Sequence, residues 1–162
     1  MVIQRVTLDD ALAIGRLVAD FRVELNSYRG IRSEPNAREG EAEIVECLNA
    51  SYPAWAAVAG GEYAGYILCK VDGSCVWVEH LFVRREHRRS GVASRLFAKA
   101  EELAASHGED TVFNCIHPNN CGVIAFLKKH GYTVLNLIEI RKPYAAEALT
   151  GKIKVADCEF DY

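Results

Sequence analysis

The sequence lacks the spacings that hold a structural metal or a redox pair. Six cysteines stand at positions 47, 69, 75, 115, 121 and 158, and no two of them are set as CxxC. A zinc ribbon or dithiol motif is therefore not expected, and neither is any other metal centre. No apolar run approaches the roughly 20 residues that cross a bilayer, and no secretory leader pattern precedes Val2. The chain is expected to be cytoplasmic, with reduced thiols and no membrane partner. A basic excess is missing too. Nineteen Lys and Arg stand against 22 Asp and Glu, for a formal net charge of -3. Nucleic-acid binders carry a clear positive balance, so that class is set aside. There is neither internal repeat nor low-complexity linker.

What remains is ordinary globular material. Half of the 162 residues are hydrophobic and a quarter are charged, enough for one compact domain over 1–162 with a single core. Residues 2–6 read as a strand. Thr7 with Asp9 and Asp10 then opens a helix running to about Leu25, with Leu12, Ile14, Leu17, Val18 and Phe21 at helical spacing. Residues 28–36 read as a loop, and 37–50 as a second helix. Three strands follow at 54–59, 62–71 and 75–83, separated by Gly60-Gly61 and Asp72-Gly73. A third helix runs from Gly91 to about His107, a short strand covers 111–116, and a fourth helix covers about 120–130. A long strand is expected at 132–140, and the tail 142–162 reads as a terminal strand or arm. The order β-α-α-β-β-β-α-β-α-β predicts an α+β fold of three layers, α/β/α, with a mixed, mostly antiparallel sheet of six to seven strands and four helices.

One stretch carries chemistry: VWVEHLFVRREHRRSGVASRLF, residues 76–97. A hydrophobic strand enters a basic loop, and the loop opens a helix at Gly91. Backbone N–H groups in the first helical turn have no intrahelical acceptor, and the helix dipole adds positive potential there. Gly91 permits unusual dihedrals, Ala93 keeps the next turn small, Arg88 and Arg89 add mobile charge, and Ser90 adds a hydroxyl. A diphosphate suits such a turn; so does plain solvent. No Gly-Lys-Ser/Thr follows, so it is not a Walker loop, and it is not GxGxxG.

The spacing Arg88-x-x-Gly91-x-Ala93 resembles the Q/R-x-x-G-x-G/A motif of the GNAT superfamily of N-acetyltransferases. Two further stretches resemble the same family in the right order. In PNNCGVIAFLKKHGY (118–132), Asn120 opens a helix that ends on Gly131-Tyr132. In AVAGGEYAGYI (57–67), Gly65 sits in a β-hairpin. The resemblance covers about residues 1–141. It implies the GNAT-like fold and acetyl-CoA as co-substrate. It also implies transfer of the acetyl group to a primary amine of a small molecule or peptide, and a possible homodimer. Carried over residue by residue, the backbone of Leu81, Phe82 and Val83 would hold the acetyl carbonyl and pantetheine. The turn Arg88, Arg89, Ser90, Gly91, Val92, Ala93 and Ser94 would hold the pyrophosphate, and Asn120 the pantetheine side.

Attack by an amine needs a base, because the free amine is protonated at neutral pH. Glu79, on the strand before the turn, is the candidate; a carboxylate that only orients substrate fits the same position. His80 points to the opposite face by period-two geometry, and a strand bulge would exchange the two. His117, Tyr28 and Glu34 are weaker candidates for contact with the acceptor. Where the family usually has a tyrosine acid, four residues before the Gly-aromatic pair, this sequence has Leu127. That departure keeps a second reading open: a non-catalytic coenzyme A sensor or regulatory module. Cys115 and Cys121, near the loop before the fourth helix, are expected to be small buried apolar residues.

Overall fold

The computed structural model describes residues 1–145, 147–149 and 151–162. They divide into two compact units, Met1–Phe126 and Leu127–Tyr162.

In the first unit, β1 (Val2–Arg5) leads through a short 3-10 turn into α1 (Ala11–Tyr28). The Thr7 N–H donates to the Asp10 carboxylate at 2.8 Å, and the Tyr63 hydroxyl donates to the same carboxylate, so this corner is tied to the sheet. Asn36 caps α2 (Ala37–Asn49) by accepting the Glu39 N–H. The meander β2 (Ala54–Ala59), β3 (Glu62–Asp72) and β4 (Cys75–Val83) turns where expected. Gly60 and Gly61 both take positive φ, as a tight hairpin requires. Then come α3 (Val92–Ser106), β5 (Phe113–Asn114) and α4 (Cys121–Lys129), of which the part up to Phe126 belongs to this unit.

The sheet order is β1-β2-β3-β4-β5, antiparallel except for the parallel β4–β5 pair. Tyr66 and Leu68 on β3 join Ile14, Leu17, Val18 and Ile44 in the core under α1 and α2. The alternate residues Ile67 and Cys69 are equally buried on the opposite face, and α3 packs against β2, β3 and β4. Helices on both faces of a mixed sheet give the expected three layers.

The two helices over one face approach at glycine. A Cβ at Gly40 would lie 2.1 Å from the Gly15 carbonyl oxygen, and a Cβ at Gly15 would lie 2.6 Å from the backbone of Glu41. Gly40→Ala is therefore expected to push α1 and α2 apart and cost about 1–3 kcal/mol in urea denaturation. A loss below about 0.5 kcal/mol would show that the helices slide freely at this crossing.

Several segments differ from the sequence reading. Tyr28 closes the last turn of α1 instead of starting the loop. The strand read at 111–116 shrinks to two paired residues, Phe113–Asn114. The apolar run 132–140, read as a long strand, joins no ladder, and Val134, Leu135, Leu137, Ile138 and Ile140 are exposed. β propensity supplies side chains that suit a pleated surface, but a strand exists only where a second backbone completes its hydrogen bonds. In the second unit the tail forms a hairpin, β6 (Lys152–Val155) and β7 (Cys158–Asp161), where the sequence suggested one strand. Reciprocal backbone bonds between Gly151 and Tyr162, 2.7 and 3.0 Å long, close its open end. The tail as read, 142–162, includes Ala146 and Thr150, which lie outside the described residues. The seven strands of the described residues thus come as a sheet of five and a sheet of two.

Candidate functional site

β4 is irregular at Glu79. Leu68 pairs with His80 and the next residue, Cys69, pairs with Val78, so Glu79 is an extra residue in the ladder. The parallel pairing with β5 ends at the same place, covering only Trp77 with Phe113 and Val78 with Asn114. The Trp77 and Phe113 rings stack there, with centroids 4.9 Å apart. Beyond Val78 the edge of β4 toward β5 has no ladder partner among the described residues, so a gap in the ladder opens there. The Arg84 N–H donates to the Ala64 carbonyl on β3. Strand alternation then turns the backbone groups of Phe82 toward β3 and those of Leu81 and Val83 toward the gap. Of the three residues expected to present backbone there, Phe82 does not; it contributes a buried ring instead.

The bulge separates the two acid–base candidates. Glu79 is exposed, and its carboxylate has no hydrogen-bond or ion-pair partner among the described residues. Its charge helps hold the thiols of Cys47 on α2 and Cys69 on β3 above their usual pKa, although burial dominates at both. His80 is 6% exposed. Its Nδ1 lies 3.0 Å from the Tyr66 hydroxyl, and its Nε2 lies 3.3 Å from Arg22 and 3.2 Å from Glu43. Tyr66 is fully enclosed, so its hydroxyl needs an acceptor. A neutral ring protonated on Nε2 supplies one at Nδ1 and donates to Glu43. Burial, aided by the Arg22 charge, lowers the His80 pKa to about 4, against a partial opposing pull from Glu43.

At the far end of β4, Arg89 and Gly91 both adopt positive φ, at 63° and 83°, and Gly91 caps α3. Alternating left-handed residues at a helix start turn successive N–H groups to one side, forming a concavity for an anion. Ser90 is turned inward, its hydroxyl donating to the His87 carbonyl at 2.6 Å. Arg88 is not the mobile cation that the sequence suggested. Its Nε donates to the Val83 carbonyl at 2.8 Å, and its terminal nitrogen pairs with Glu24 at 2.5 Å. The guanidinium fastens the turn to α1, which leaves the anion-binding part to backbone groups from Arg89 onward.

Glu24 also accepts the Tyr28 hydroxyl at 2.9 Å; burial and that carboxylate raise the Tyr28 pKa to about 12. Tyr28 stacks on His117 with centroids 6.1 Å apart, and Asn119 donates its amide to the Tyr28 carbonyl at 2.8 Å. Two weak candidates, Tyr28 and His117, are therefore brought together, while Glu34 stays on an exposed loop. Burial and Arg29 lower the His117 pKa. Asn120 caps α4, accepting the Val123 N–H at 3.1 Å. Cys115 and Cys121 are exposed rather than buried, because the loop between β5 and α4 lies on the surface. The Glu24–Arg88 tie, with partners 64 residues apart, left no trace in local sequence pattern.

A cleft of about 470 Å³ lies between α1 and the chain after β4. Asp20, Val23 and Glu24 line it from the helix, and Phe82, Arg84 and Glu86 line it from the other side. It does not include Glu79.

A family model for the acetyltransferase (GNAT) family matches residues 20–132. The chain belongs to the GNAT acetyltransferase family. Solved structures share the fold of this GNAT chain at low identity. A variant of the BH1408 protein from Bacillus halodurans is 17% identical, with 90% of this chain and 100% of that chain covered, at a TM-score of 0.73. AAC(6')-Iy, in complex with the bisubstrate analogue CoA-S-monomethyl-acetylneamine, is 16% identical over 89% and 98% of the two chains, at 0.69. A ribosomal-protein-alanine N-acetyltransferase from Brucella melitensis biovar Abortus is 15% identical over 88% and 99%, at 0.68. No curated protein sequence matches significantly. Among the described residues of this GNAT chain no group of three or more His, Cys, Asp or Glu is arranged to hold a metal ion. No helix among them is long and apolar enough to cross a membrane.

Proposed function

We propose that this chain transfers the acetyl group of acetyl-CoA to a primary amine of a small molecule or peptide. The observation that carries the reading is the end of β4–β5 pairing at the Glu79 bulge, in line with the anion-binding turn at the start of α3. In this reading the N–H groups of Arg89 to Ser94 receive the pyrophosphate, and the freed backbone of Leu81 with the N–H of Val83 receives the pantetheine arm. Asn120 borders that arm from the start of α4. Acetyl-CoA supplies a thioester open to nucleophilic attack. Glu79 accepts the ammonium proton of the incoming amine, directly or through water, and backbone N–H groups along the gap stabilise the negative charge that attack develops. Tyr28 and His117 border the acceptor. The enzymes of similar fold whose names specify amine acceptors, an aminoglycoside antibiotic 6'-N-acetyltransferase and a ribosomal-protein-alanine N-acetyltransferase, support that class. Cysteines without CxxC spacing support a reduced, cytoplasmic setting, and the exposed apolar side chains from Val134 to Ile140 support pairing of two copies.

Leu127 favours the second reading, a coenzyme A sensor without turnover, since no hydroxyl stands at the place of the usual acid. One experiment separates them. Acetyl-CoA is titrated by calorimetry, and a panel of amines is then screened for release of free coenzyme A thiol. Micromolar binding with release on some amines is the expected result. Binding without release on any amine supports the sensor, and absence of binding overturns both.

A further inference from the structure

The last turn of α1 joins two parts of the molecule that the sheet leaves apart. One is the turn before α3, reached through Arg88. The other is the loop between β5 and α4, beyond the point where pairing of β4 with β5 stops. Glu24 and Tyr28 are four residues apart on α1, so their side chains share one helix face. One carboxylate oxygen of Glu24 accepts from Arg88 at 2.5 Å, and the other accepts the Tyr28 hydroxyl at 2.9 Å. Each partner is fastened further on. Arg88 Nε donates to the Val83 carbonyl at 2.8 Å, at the end of β4. The Tyr28 carbonyl accepts the Asn119 amide at 2.8 Å. His117 holds the same loop in a turn: its Nδ1 accepts the Asn119 N–H at 3.2 Å, and its carbonyl accepts the Asn120 N–H at 2.8 Å. A continuous path thus runs from Val83 through Arg88, Glu24, Tyr28 and Asn119 to the cap of α4.

Fold stability is a poor reason for this path. The ion pair leaves 36% of the Arg88 side chain and 22% of the Glu24 side chain exposed, and pairs this open add little. Its two ends give a better reason. In the reading above, one end holds the pyrophosphate turn and the other ends on Asn120, which borders the pantetheine arm. One flexible molecule has to fill both subsites at once, so the span between them sets its affinity even where each subsite is intact. Resting on the coenzyme part of that reading, we infer that Glu24 is a positioning residue: it braces the turn before α3 against the β5–α4 loop and fixes the span that acetyl-CoA must bridge.

The test is calorimetric binding of acetyl-CoA and of its nucleotide half alone, phospho-ADP cut off before the pantetheine arm. Glu24→Ala is expected to raise the acetyl-CoA Kd about tenfold, while the nucleotide half moves by less than about twofold and Tm changes little. Glu24→Gln should recover most of the loss, because its amide oxygen can accept from Arg88 and its amide N–H can donate to the Tyr28 hydroxyl oxygen. Tyr28→Phe keeps the ring and the backbone bond and removes one link. It should raise the acetyl-CoA Kd about threefold alone, and add nothing on top of Glu24→Ala. Equal weakening of both ligands by Glu24→Ala would confine Glu24 to the turn and overturn the inference. An unchanged acetyl-CoA Kd would do the same, and so would additive losses in the double variant, an arm that needs only acetyl-CoA. Failure of the intact chain to bind acetyl-CoA is a separate outcome, which overturns the coenzyme reading and this inference with it.

Discussion

Glu79→Gln is expected to lower kcat by about 10²–10⁴-fold while the acetyl-CoA Kd and the melting temperature stay where they are. The size of the effect follows from the chemistry assigned to the group, and the selectivity follows from its surroundings. Glutamine keeps the shape and removes the proton acceptor. The carboxylate has no hydrogen-bond or ion-pair partner among the described residues, and it sits exposed on the unpaired residue of a bulge. Its loss therefore breaks no structural bond. His80 cannot take over. It is packed beneath Phe21, with ring centroids 4.7 Å apart, and both its nitrogens already have partners. Stopped-flow or thiol-release kinetics across pH 6 to 9 decides the matter. Wild-type turnover and an unchanged pH profile in Glu79→Gln would remove it as the base.

The second large effect belongs to His80 and concerns stability. Its folded pKa of about 4 lies below the 6.5 of an exposed imidazole, chiefly through burial and then through Arg22. Above pH 6.5 the ring is neutral in both folded and unfolded chains, and the full stability is present. As the pH falls from 6.5 toward 4 only the unfolded chain takes up the proton, so stability is lost across that window. The interval corresponds to roughly 3 kcal/mol. Arg22 on α1, Glu43 on α2 and Tyr66 on β3 surround the ring, and Arg22 holds both oxygens of Glu43, at 2.9 and 2.5 Å. His80→Gln retains a polar group for the Tyr66 hydroxyl but cannot titrate. It should cost about 1–2 kcal/mol at pH 7.5, and the gap to the wild type should close as the pH approaches 4.5. Denaturation midpoints at pH 7.5, 6 and 4.5 measure both slopes. Parallel acid slopes in the two proteins would show that other groups carry the acid loss.

Residues 1–131 were largely legible from their pattern, because each element there carries a local signal. Apolar residues recur at helical spacing in α1 and α3. Gly60-Gly61 and Asp72-Gly73 mark hairpin turns by the dihedrals they permit, and the order of the segments leaves few ways to cover both faces of a sheet. The turn at Gly91 was legible for the same reason: a strand end, a positive φ and a helix start are neighbours in the chain. Segment 132–140 shows the limit. Its residues have the composition of a strand, but pairing is a property of two backbones, and one stretch of sequence describes only one of them.

The same limit governs the candidate site. Sequence placed Glu79 and His80 side by side and could not say which would be enclosed, because period-two alternation holds only until a bulge interrupts it. The ladder of β4 with β3 decided that, by skipping Glu79. Arg88 reads as a mobile cation in the sequence, but Glu24, 64 residues away, pairs with it at 2.5 Å. Arg84 had no reading at all, since an unpaired buried nitrogen is visible only when everything around it is in place. The sequence by itself determined the family, the element order and the turn that suits a diphosphate, all of which depend on residues close together along the chain. The tertiary structure alone decided which charges are paired, which are buried and which stand free, because ionisation and desolvation answer to neighbours in space.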